Sequence, residues 1–140
     1  MSGLRPKEAR MTIVADSMHL PFVSSTPSIA RTKLAAFLTV NRVEIETIDI
    51  ALIVLSEMIA NAVCHGTPDS KGMMEIGWSL NGVKLELEVA DSGDGGDLVP
   101  KPFDEDSTNG RGLAIISQLS QDWSVDQSAG TRIRATLPLS

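Results

Sequence analysis

Glu57, Asn61 and His65 interrupt a segment that is otherwise apolar nearly all round, Ile50-Ala-Leu-Ile-Val-Leu-Ser-Glu-Met-Ile-Ala-Asn-Ala-Val-Cys-His65. Their i, i+4, i+8 spacing puts them on one stripe of a helix that is expected to be the most buried in the protein. An unpaired buried carboxylate costs several kcal/mol, so the stripe must face a cleft, a cation or a partner network. A buried Glu57–Asn61 network that only fixes packing is the plain alternative. His65, one residue before Gly66, reads more simply as a helix-end side chain.

Asp91 follows a run in which Leu85, Leu87 and Val89 alternate with Lys84, Glu86 and Glu88. By that parity Asp91 points to the apolar side, and Thr131 opens a second alternating run on the face of Ile133 and Ala135. An aspartate that simply ends a strand and opens a glycine turn is the ordinary alternative. Two glycine clusters, Asp91-Ser-Gly93-Asp-Gly95-Gly96 and Gly110-Arg111-Gly112-Leu113, let the backbone approach a ligand closely. The second begins a helix, where free N–H groups and the helix dipole attract anions. Either cluster alone is generic turn chemistry. Together, a core-facing acid, the glycines, Arg111 and the Glu57/Asn61 stripe converge on one end of a layer interface, and a nucleotide with Mg2+ satisfies them all.

The elements that must position these groups follow from periodicity. Residues 1–16 carry mixed charge without a sustained period and read as a mobile N-terminal arm, leaving 17–140 as a single domain. Met18 to Val23 is β-prone but contains Pro21, which restricts it to an edge or irregular strand. Thr26-Pro27-Ser28 starts a first helix with Ala30, Leu34, Phe37 and Leu38 on one stripe, running to about Val40. The second runs from about Glu44 to His65, with Gly66 at the position after the cap, Pro68 beyond, and either Asn41 with Glu44 or Thr47 as its start signal. Met73 to Leu80 and Val83 to Ala90 flank Asn81-Gly82 as a hairpin whose turn positions call for positive φ. Asp91 to Asn109 reads as a long loop, Gly112 to about Ser120 as a short helix, and Trp123–Gln127 with Thr131–Leu137 as a second hairpin around Ala129-Gly130. The order β-α-α-β-β-loop-α-β-β predicts an α+β fold, a two-layer sandwich with three helices on one face of a mostly antiparallel sheet.

Composition narrows the classes further. At 140 residues the chain is one domain, and a domain of this size stabilises itself without disulfides or a structural metal. The lone Cys64 makes no internal bridge and points to a reducing compartment. A net charge of −6 disfavours nucleic acid and anionic membrane surfaces. The longest uninterrupted apolar run is Ile50 to Leu55, and the basic start lacks a signal-peptide core, so a cytoplasmic location without membrane insertion is expected.

Read in order over residues 57–112, the motifs Glu57-x-x-x-Asn61-Ala-Val-x-His65-Gly66, Asp91-x-Gly93-x-Gly95 and Gly110-Arg111-Gly112 resemble those of the GHKL, or Bergerat-fold, ATPase superfamily, which includes gyrase B, histidine kinases and MutL. The compact length, the short lid and the form of the first motif are most similar to bacterial anti-sigma-factor serine/threonine kinases of the RsbW type, over about Phe22 to Pro138. The resemblance implies a Bergerat ATP-binding fold over 17–140, with ATP and Mg2+ as cofactors. It implies Glu57 as the general base that activates the attacking hydroxyl and Asn61 as the Mg2+ ligand. It implies that Asp91 accepts the adenine amino group, that Gly93 and Gly95 let the base approach, and that Thr131 sits near the adenine. Gly110, Arg111 and Gly112 would cradle the β- and γ-phosphates. A sigma factor and a STAS-domain anti-anti-sigma factor are the implied partners, and dimerisation is common in such proteins. Two features depart from the family: Gly96 stands where an aliphatic residue is usual, and the lid carries Asp94, Asp97, Asp104, Glu105 and Asp106 against Lys101 and Arg111. That charge implies nucleotide binding that is weak or strongly Mg2+-dependent.

Three other functions compete. A nucleotide-regulated binding module would sequester a partner without transferring phosphate, as the acidic lid suggests. A detached histidine-kinase-like ATPase domain is less in keeping with the short lid and the absence of a phosphoacceptor hairpin. A transition-metal site from Glu57, Asn61 and His65 is disfavoured because asparagine is a poor ligand for such metals.

Overall fold

The structure, a computed structural model, describes residues 13–93 and 108–139. In chain order these form β1 (Ile13–Pro21), α1 (Thr26–Val40), α2 (Ile45–His65), β2 (Met73–Asn81), β3 (Lys84–Asp91), α3 (Thr108–Leu119), β4 (Asp122–Asp126) and β5 (Thr131–Pro138). The strands make one antiparallel sheet in the order β1-β2-β3-β5-β4, with the helices packed on one face, which is the α+β sandwich that periodicity predicts.

Alternation does the sorting. Ile76, Trp78 and Leu80 of β2, Leu85, Leu87 and Val89 of β3 and Ile133, Ala135 and Leu137 of β5 are all buried against Leu34, Leu38, Leu55, Met58 and Ile59 of α1 and α2. Each of the larger aliphatic side chains among these contributes about 1.5–3 kcal/mol by leaving water. α2 packs against α1 on one side and α3 on the other, and lies over β3 and β5. By length and composition it is apolar enough to cross a bilayer, with a mean hydropathy of 1.8, but in the fold it is the central core helix. The opposite face of the sheet carries polar residues, where Arg132 bridges Glu75 at 3.2 Å and also pairs with Glu88, which Arg134 meets at 3.4 Å.

Several local expectations are corrected. β1 begins at Ile13 and pairs Ile13–Asp16 with β2, so those residues belong to the sheet and not to an arm; residues 1–12 lie outside the described residues. Pro21 ends this edge strand, where its missing N–H costs no ladder bond. Asn41 does not start α2: its side chain donates to Phe37 O at 2.8 Å and closes α1, while α2 starts at Glu44 without a side-chain cap. Between them Arg42 takes φ 62°, the left-handed conformation that redirects the chain. The β2–β3 hairpin forms where expected but without positive φ at Asn81 or Gly82; Asn81 Oδ1 instead accepts the N–H groups of Val83 and Lys84 at 2.9 and 2.8 Å. α3 starts at Thr108 rather than Gly112, so that Gly110 and Gly112 stand inside the helix, where each costs roughly 1 kcal/mol against alanine.

Left-handed backbone costs a non-glycine residue about 1–2 kcal/mol, while a glycine loses only about 0.5–1 kcal/mol more chain entropy on folding. Arg42→Gly is therefore expected to raise the urea midpoint at unchanged m-value, by up to about 1 kcal/mol of stability, whereas Arg42→Ala brings no gain.

Candidate functional site

α2 brings two of the expected groups together. Glu57 is half-buried, and Asn61, one turn later, is only 7% exposed. Among the described residues the buried Asn61 Nδ2 has no hydrogen-bond partner, a condition that costs about 1–3 kcal/mol where nothing else satisfies the group. Gly112 of α3 lies against Glu57: a Cβ there would stand 3.0 Å from Glu57 Oε2.

The second group forms where β3 ends and β5 begins, beside the exit of α2. Asp91 pairs with Thr131 in the β3–β5 register, on the inward face that their parity predicts. Asp91 Oδ1 accepts the N–H of Gly93 at 2.7 Å and the N–H of Thr67 at 3.2 Å. Thr131, 2% exposed, donates its hydroxyl to Gly93 O at 2.7 Å, and Ser92 N–H donates to Thr67 O at 2.9 Å. These bonds hold the turn after β3 between the last strand and the segment leaving α2.

Two glycines make the approach possible. Gly66 ends α2 at φ −82° and ψ 172°, so it is not the left-handed cap that its position suggested. Its small size is needed for space: a Cβ would lie 2.6 Å from both Ala62 O and Asp91 Oδ2. Gly130 does adopt positive φ, 76°, and a Cβ there would overlap the Asp91 carbonyl. Sequence reasoning read Gly66 only as a helix stop and passed over Thr67, since nothing local marks a backbone amide as a partner for a carboxylate 24 positions away. The one available signal was the tripeptide Gly66-Thr67-Pro68 directly after the polar stripe.

Gly110 and Arg111 fall in the first turn of α3, whose described side chains begin at position 112. Gly95 and Gly96 lie outside the described residues, as do Asp94, Asp97, Lys101, Asp104, Glu105 and Asp106. His65 is the last residue of α2 and half-buried. Among the described residues no group of three His, Cys, Asp or Glu side chains is arranged to hold a metal.

Asp69, in the connection from α2 to β2, staples that segment. Its Oδ1 accepts the N–H groups of Met73 at 2.9 Å and Lys71 at 2.8 Å, and these bonds, Met73 first, hold its carboxyl below the ordinary value. Asp126 is lowered in the same way by the backbone and hydroxyl of Ser128.

The family described as Histidine kinase-like ATPase domain matches residues 24–137. An anti-sigma F factor of Thermoanaerobacter sp. (strain X514) is 28% identical over 130 residues, covering 85% of this chain and 91% of that protein. The fold also matches part of a structure of the RsbU and RsbW domains of Rv1364c from Mycobacterium tuberculosis, at a TM-score of 0.67 and 20% identity over 89% of this chain and 32% of that longer one. The SiaB–SiaC complex of Pseudomonas aeruginosa matches at a TM-score of 0.63 and 15% identity, over 91% of each chain.

A depressed folded-state pKa adds stability above the unfolded value, near pH 3.8 for Asp69, that is lost as pH falls through the folded value. Asp69→Asn is expected to lower the unfolding midpoint at neutral pH and to flatten its decline below about pH 4, read by thermal unfolding across that range.

Proposed function

Because the chain belongs to the Histidine kinase-like ATPase domain family, we propose that it is an ATP-binding, anti-sigma-factor-like regulator that acts as a serine/threonine protein kinase. It sequesters a sigma factor and transfers the ATP γ-phosphate to a STAS-type anti-anti-sigma partner. The observation that carries this reading is the placement on one stripe of α2 of half-buried Glu57 and buried Asn61, whose Nδ2 has no partner among the described residues. The anti-sigma F name of the Thermoanaerobacter relative supports the regulatory part.

In this reading Glu57 takes the proton of a partner serine or threonine hydroxyl as its oxygen bonds to the γ-phosphorus and the bond to the ADP oxygen breaks. Asn61 fits a Mg2+ site, because its amide is buried beside Glu57 and presents a hard oxygen once the interchangeable ends of the group are turned. The ion would supply charge neutralisation across the phosphates. Asp91 accepts the adenine amino group, Gly93 lets the base approach, and Thr131 holds that turn through its bond to Gly93 O. Gly110, Arg111 and Gly112 meet the phosphates at the start of α3, where helix N–H groups suit anions.

Excess Mg-ATP at about 100 times Kd adds about 2.7 kcal/mol of stability, so the wild-type melting temperature is expected to rise by several degrees and that of Asp91→Asn to stay put. Glu57→Gln is expected to keep the ATP-induced shift while losing about 100- to 10,000-fold in phosphate transfer to a STAS-domain partner. ATP recovered intact from wild type mixed with that partner would instead make the protein a nucleotide-regulated binding module. Absence of any shift at millimolar ATP would remove the nucleotide reading altogether.

A further inference from the structure

The backbone that leaves α2 is built against Asp91 more closely than a helix stop requires. Thr67 N–H donates to Asp91 Oδ1, Thr67 O accepts from Ser92, and a Cβ on Gly93 would lie 2.5 Å from Thr67 Oγ1. Gly66 faces the other carboxylate oxygen, with its missing Cβ 2.6 Å from Oδ2. Among the described residues, both backbone donors to Asp91 therefore fall on Oδ1, one from its own turn and one from the segment leaving α2.

We propose that Gly66 and Thr67 are positioning residues that fix the plane of the Asp91 carboxylate and thereby set a preference for a 6-amino over a 6-oxo purine, an inference that rests on the nucleotide reading above. An ionised carboxylate only accepts hydrogen bonds, so it is matched by an exocyclic amine and mismatched by a carbonyl. Discrimination of this kind needs the acceptor held in place, because a carboxylate free to swing away leaves no unpaired group to penalise the wrong base. Two N–H donors from separate segments supply that restraint. Since α2 also carries Glu57 and Asn61, the same helix exit sets the base end relative to the phosphate end.

The experiment compares the affinities of Mg-ATP and Mg-ITP, whose bases differ by the amino-for-oxo exchange at C6 and the hydrogen that this places on N1, by calorimetry on four proteins. Thr67→Pro removes the N–H but keeps the carbonyl that Ser92 uses, and Gly66 already has the extended conformation required before a proline. Thr67→Val keeps the N–H and is the conservative control. Gly66→Ala is compatible with φ −82°, but its Cβ would meet both Ala62 O and Asp91 Oδ2, so it displaces the carboxylate and the helix exit from each other. Wild type and Thr67→Val are expected to prefer ATP to the same degree, and Thr67→Pro and Gly66→Ala to lose about tenfold in the ATP/ITP ratio. Should Thr67→Pro lose its thermal transition, Gly66→Ala decides alone. An unchanged ratio in the folded variants, with wild type binding ATP, overturns the positioning role and leaves the nucleotide reading standing. A wild type that binds neither nucleotide overturns both.

Discussion

The exit of α2 and the end of β3 come within hydrogen-bonding distance of each other, and the candidate site depends on that approach. It is possible because position 66 has no side chain to collide with the Asp91 carboxylate and position 130 has none to collide with the Asp91 carbonyl. Once the segments are that close, Thr67, Gly93, Ser92 and Thr131 share backbone and side-chain bonds across three elements of the fold. A polar cluster of this type specifies one arrangement only when its members are satisfied, and these are satisfied largely by the backbone.

The core makes that joint unavoidable. α2 is apolar around most of its circumference, so it sinks between α1, α3 and the sheet, and burial fixes both its rotation and its axial position. Glu57 and Asn61 are then carried on the helix whose exit meets the end of β3 and the start of β5. The cost of burying the Asn61 amide is borne by a helix that has many large apolar neighbours to offset it.

Much of this was legible from residue order. Period-two alternation in β2, β3 and β5 assigned the buried faces correctly, including the inward direction of Asp91 and Thr131, because side-chain direction in a strand is set by parity alone. The i, i+4 spacing likewise put Glu57 and Asn61 on one stripe whatever the helix packs against. Local chemistry misled where one residue type serves several geometries. Asn41 can start a helix or close one, and here it closes α1. Asn81-Gly82 can form a turn through positive φ or through an Asx bond, and the hairpin uses the bond. Ile13–Asp16 carry no strong strand signal of their own and become a strand because β2 offers an unpaired edge.

The sequence by itself determined the element types, the faces they bury and the stripe that carries the chemistry, since each of these depends on neighbours within a few positions along the chain. Tertiary structure alone decided that Gly66 is a spacer rather than a left-handed cap, that Thr67 N–H belongs to Asp91, that Gly112 lies against Glu57, and that the Asn61 Nδ2 is buried without a partner among the described residues. Those facts are distances between groups remote in sequence, set by how closely packed layers approach, and no local periodicity encodes a distance across a core.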